Sequence, residues 1–196
     1  MSLCRIDWDS TLLATIPLVE NAASNDAFND ILFEMIMAPG EMNIPFFGPP
    51  DFPDSLFFNL HTDWFHDSML ETRVGNLLDT IRVRFRPQYN CYVKTGLVGN
   101  PDFSNDDDYF LSSHYPETEI RLLALFRYWN DVEYFFPYTD MLDRDWDTTL
   151  MEMIPYYLEA SDETEYVLAV LRTVHHIHDT HGFTSSPIIN QYFGGS

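Results

Sequence analysis

A chain of 196 residues that is 45% hydrophobic and 16% aromatic can bury a sizeable core, which excludes a disordered segment despite a net charge of -21 at pH 7. Lysine occurs once, at Lys94, and the acidic field repels phosphate backbones and anionic lipid, so nucleic acid and membrane surfaces are poor partners. The acid excess reads as a solvated surface, or more sharply as that of a salt-adapted source, because carboxylate-rich surfaces repel themselves less when salt screens them.

The first predicted element begins at Asp7-Trp8-Asp9, where the aspartates suit a helix N-terminus, and Leu12, Leu13 and Ile16 fall at helical spacing. Pro17 lacks a backbone donor and is expected to kink or split this helix. Ser24 suits the N-cap of a second helix over Asn25–Met37. Residues 42–55 hold Pro45, Pro49, Pro50 and Pro53 and read as a loop. A helix is predicted over about Asp63–Arg82, from apolar residues at Trp64, Met69 or Leu70, Val74, Leu77, Leu78 and Ile81. Tyr89–Val98 is strand-like and suits one short hairpin, and 99–116 reads as a loop. The longest helix signal, Glu119–Phe136, has Thr118 as cap and Pro137 as stop. Leu122, Leu125 or Phe126, Trp129 and Phe136 form its apolar stripe, widened by Leu123 and Val132. Arg121 and Arg127 are expected to pair with Glu117, Glu119 or Asp131.

The segment from Asp145, DWDTTLMEMIPYYLEAS, repeats the segment from Asp7, DWDSTLLATIPLVENAAS, at a constant offset of 138. Asp7, Trp8, Asp9, Thr11, Leu12, Ile16, Pro17 and Ala22 all meet identical residues. The second copy therefore predicts a helix carrying Pro155, a cap at Ser161 and a further helix over Asp162–His178. The DWD motif reads as architectural, with its Trp as a core anchor. The fold class expected is mainly α, with two related helical units and at most a short β-hairpin. They divide as 1–40, a connector over 41–118, and 119–196.

Three stretches carry a family resemblance: RLLALFRYWNDVEYFFPY from Arg121, DWDTTLMEMIPYYLEAS from Asp145, and YVLAVLRTVHHIHDTHG from Tyr166. Together they resemble the helical region ahead of the PDZ and catalytic domains in bacterial C-terminal processing (tail-specific) serine peptidases of the tricorn-core-like branch. Gly99–Phe103 and Tyr192-Phe193-Gly194 fit the same order. The similarity is strongest over 99–194 and weak over 40–87. It implies a chain truncated at both ends, with a PDZ-like module and a serine-bearing domain to follow.

In that branch the Asp179-Thr180-His181 motif is similar to the source of the general base. The resemblance thus implies that His181 takes a proton from a serine supplied elsewhere, with Thr180 orienting the ring. The alternative for His181 is a histidine at a helix C-terminus satisfying free carbonyls. The family's other branch uses a Ser-Lys dyad, and Lys94 lies in no matching context. His175, His176, His178 and His181 invite a zinc reading, but HHIHDTH lacks the glutamate of HExxH. Asp106, Asp107 and Asp108 lack the glycine and distal glutamate of a calcium loop. No phosphate loop or GxSxG elbow appears. Cys4 and Cys91 are too few for a disulfide framework and form no metal motif. No cofactor and no metal are therefore expected.

The function this implies is the N-terminal helical part of a serine-type endopeptidase, inactive alone for want of the nucleophilic serine. The alternative is a non-catalytic helical interaction or dimerisation module. The partner implied is a polypeptide substrate held through domains outside this chain, and a homodimer stays open. No apolar run reaches the ~18 residues of a membrane span. Met1–Asp9 has no signal-peptide pattern, and the compartment is left open, although the resembled family is commonly exported to the periplasm or cell envelope.

Overall fold

A computed structural model describes residues 6–40, 60–84, 93–103, 113–179, 182 and 184–194. The chain divides into two compact units, Met1–Asn105 and Asp106–Ser196. The fold is mainly helical, and the strands described make one two-stranded hairpin.

In the first unit, α1 (Trp8–Glu20) starts where the Asp7 carboxylate accepts from the Ser10 amide at 3.0 Å and the Ser10 hydroxyl at 2.6 Å. The helix runs through Pro17 without splitting. Only one backbone bond is forfeited there, and the flanking turns remain helical. Ser24 caps α2 (Asn25–Met37) by accepting from the Ala27 amide at 3.1 Å, as its sequence predicts. The helix expected over Asp63–Arg82 is instead a 3-10 turn, Asp63–His66, followed by α3, Thr72–Arg84. Two side chains cause the break. The Asp67 carboxylate accepts from the Met69 amide at 2.8 Å, a local bond that competes with helix. Asn29, fully buried on α2, donates to the Met69 carbonyl and accepts from the Glu71 amide at 2.7 Å. Arg73 pairs with Asp30 and Glu71 outside this bond set.

The hairpin pairs β1 (Lys94–Thr95) with β2 (Pro101–Asp102), antiparallel, with Lys94 opposite Asp102. Its second strand lies in the stretch read as loop. Gly99 supplies the positive φ of 86° that reverses the chain. The proline-rich stretch, Tyr89–Tyr92, both cysteines and the Asp106–Asp108 run lie outside the described residues.

In the second unit, α4 (Thr118–Phe135) has Glu117 at its N-cap without a side-chain bond, so Thr118 is its first residue rather than its cap. Its buried face carries Leu122, Leu123, Leu125 and Val132. It packs on α5 (Trp146–Glu159), which again runs unsplit through its proline, Pro155. Next comes α6 (Glu163–His175), then α7 (Pro187–Phe193). The cap of α6 is Asp162, accepting from the Glu165 amide at 2.9 Å, not the expected Ser161. Ser161 instead donates from its amide and hydroxyl to the Glu165 carboxylate, both at 2.8 Å.

Ser24 and Asp162 are themselves 138 residues apart, so the repeat sets the cap position as well as the helices. Thr11 and Thr149, the next matched pair, both donate their hydroxyls to the carbonyl of the capping aspartate, at 2.9 and 3.2 Å. Trp146 anchors the second core with Val132 and Ile177, and is only 4% exposed. Its indole N–H donates to the Trp129 carbonyl while the Trp129 indole donates to the Trp146 carbonyl, both at 3.0 Å. Each ring thereby buries its surface and satisfies its one donor.

Arg121 departs furthest from expectation. It is 3% exposed and pairs with backbone oxygens rather than acids. It donates to the carbonyls of Tyr157 and Pro116, each at 2.9 Å, and to those of Ala160 and Leu158 at 3.3 and 3.5 Å. Its planar fork thus ties the start of α4 to the unsatisfied carbonyls that end α5.

Candidate functional site

The candidate site gathers at the C-terminal end of α6. The last turn of that helix tightens, with amides of His176, Ile177 and His178 donating three residues back, to Thr173, Val174 and His175, each at 3.2 Å. Ile177 is 8% exposed and packs into the Val132–Trp146 core, which fixes the rotation of the turn. His178 then takes a left-handed backbone, φ 53°. That conformation costs a residue with a Cβ on the order of 1–2 kcal/mol, and here it terminates the helix.

Three imidazoles collect around this end. The rings of His175 and His178 lie 5.1 Å apart. The His178 Nδ1 is 3.1 Å from the Asp143 carboxylate, with both side chains largely exposed. His176 is held below the ordinary imidazole value of 6.5, first by burial and then by the Arg144 cation, with Glu152 opposing and the two neighbouring histidines adding to the depression. Arg144 itself donates to Glu152 at 2.6 Å. The site therefore holds one imidazole biased neutral, His176, and one within 3.1 Å of a carboxylate, His178.

The two residues assigned from resemblance, His181 as general base and Thr180 as its orienter, lie outside the described residues. Their neighbours are placed. The Gly182 amide donates to the Asp179 carbonyl at 3.1 Å, and Asp179 follows directly on the His178 turn. The structure also adds Asp143 and Arg144, which no motif signalled, because they stand 31 or more residues before the histidines in sequence. Their only legible cue was a position just ahead of the Asp145 cap.

The helical spacing that pairs His175 with His178 is met, but among the described residues no group of three or more His, Cys, Asp or Glu is placed to hold a metal ion. No described helix is long and apolar enough to cross a membrane. Compared with protein-family models, with curated proteins and with solved structures, the chain gives no match.

Proposed function

We propose that this chain is the N-terminal helical part of a serine-type endopeptidase, inactive alone, and that it supplies the general base. The His181 imidazole accepts the serine Oγ proton as Oγ bonds to the scissile carbonyl carbon, then returns it to the leaving amine. Thr180 orients the ring. The nucleophilic serine comes from a domain outside this sequence, and a base without a nucleophile performs no acyl transfer.

The supporting observation is where α6 stops. The helix ends at His175 and the chain turns at His178, before Asp179-Thr180-His181 begins. The helix-capping role that competes for His181 thus falls nearer to His176 and His178. The test is expression of the chain together with the reading frame that follows Ser196. Peptide hydrolysis should appear, and His181→Ala should lower kcat by about 10²–10⁴-fold with KM little changed. The 196-residue chain alone should cleave no unstructured peptide. Hydrolysis by the extended protein that His181→Ala leaves intact would sink the reading.

A second reading, a non-catalytic helical interaction module, is favoured by one observation: a largely apolar groove bordered by Asp30 and Glu34 stands open between α1 and α2.

A further inference from the structure

The two helix pairs share one register, yet they treat the cleft between their helices differently. In the second unit, α5 and α6 pair across the corresponding positions. The Arg172 guanidinium of α6 lies 4.3 Å over the Tyr156 ring of α5, both side chains being exposed, and Glu152 pairs with Arg144. Subtracting the offset of 138, Tyr156 becomes Leu18, Arg172 becomes Glu34 and Glu152 becomes Ala14. The stacked pair is lost and its charge is reversed.

In the first unit the same cleft is a cavity of about 590 Å³, a size that holds small ligands or a few side chains. Thr11, Thr15, Ile31 and Met35 form its floor, and Leu18 and Glu34 stand where the second unit has its stacked pair. The two helices carry Asp9, Glu20, Asp26, Asp30 and Glu34 and no Lys or Arg. Asp30 is already taken by Arg73. An apolar floor below an acidic rim matches a cation on an apolar stem, the shape of an arginine side chain.

We propose that the α1–α2 groove binds a polypeptide segment that presents an arginine beside a bulky apolar residue. The incoming guanidinium pairs with Glu34, and its apolar neighbour packs on Leu18 and the floor. The partner thereby supplies in trans a cation and an apolar group like the pair that Arg172 and Tyr156 form within the second unit. This inference is independent of the peptidase reading, because it uses neither His181 nor a serine.

The test titrates the blocked peptide acetyl-Leu-Arg-Tyr-Leu-amide into the full chain and follows methyl NMR signals of Thr11, Thr15, Ile31 and Met35. Those signals should shift together, with a Kd on the order of 0.1–1 mM, as expected for a ligand of this size with one buried anchor. The analogue with Glu in place of Arg should bind at least about tenfold more weakly, and added salt should weaken the Arg peptide. Glu34→Gln, nearly isosteric at an exposed position, should weaken it about threefold or more. The double variant Leu18→Tyr/Glu34→Arg should fill its own groove and lose binding by at least about tenfold. Shifts absent at millimolar peptide, equal binding of the two peptides, or undiminished binding by Glu34→Gln would each overturn the proposal.

Discussion

Arg121 is the side chain on which the second unit leans most. A cation at 3% exposure is costly unless every donor is used, and this one spends its donors on the carbonyls of Pro116, Tyr157, Leu158 and Ala160 and on the Thr118 hydroxyl. The Tyr115 ring lies 4.8 Å from its guanidinium carbon, and the Tyr115 hydroxyl donates to the Ala160 carbonyl at 2.7 Å. Arg121→Ala strands those carbonyls, so urea denaturation should show a loss of about 3 kcal/mol. Arg121→Lys should recover little of it, because an ammonium is a point charge without the planar fork. At the other end of α6, His176 gives the stability a pH dependence. Its folded value lies below the unfolded 6.5, so the unfolded chain binds more protons between the two. The contribution is complete above the unfolded value and is lost as pH falls through the folded one. Denaturation midpoints measured from pH 7.5 down to 5 should therefore fall, and His176→Gln should flatten that slope.

Helix termini, not helix interiors, separate what these elements do from what they look like. Asp7 and Asp145 accept from the amide and hydroxyl of the residue three positions on, a cap worth about 1 kcal/mol in each helix. Within α3, Gly75 breaks the usual ranking. In an exposed helix, Gly→Ala gains about 1 kcal/mol from backbone entropy. Here Gly75 is buried, and a Cβ would run into the Phe65 carbonyl oxygen and approach the His66 ring at 3.0 Å. Gly75→Ala should therefore lower the melting temperature and displace the 3-10 turn, which loss of the His66–Asp79 contact at 2.8 Å would report. A higher melting temperature would mean that the turn does not press on α3.

At the scale of the whole molecule, a net charge of -21 on 196 residues works against compaction at low ionic strength. The Debye length falls from about 10 Å at 0.1 M salt to about 3 Å at 1 M, so screening relieves repulsion between all but adjacent carboxylates. The melting temperature should rise steadily from 0.05 to 1 M sodium chloride. A flat series would show that the acidic surface is merely solvated and would remove the salt-adapted reading.

The repeat was legible because what builds it is local: a capping carboxylate, apolar residues at helical spacing and a second cap at a fixed distance all act within a few residues. That locality is why α2 falls on its predicted bounds, and why the identities at an offset of 138 carry over to two helix pairs with shared capping positions. The break before α3, the carbonyls around Arg121, the left-handed turn at His178 and its Asp143 neighbour were not legible. Except at His178, whose turn is fixed by the packing of Ile177, and apart from the local Asp67–Met69 and Arg121–Pro116 bonds, each joins groups 30 or more residues apart. Such contacts exist only once the helices have packed. The open groove belongs to the same class: sequence shows that Arg172 corresponds to Glu34, but only packing decides that Arg172 stacks on Tyr156 while Glu34 borders a groove.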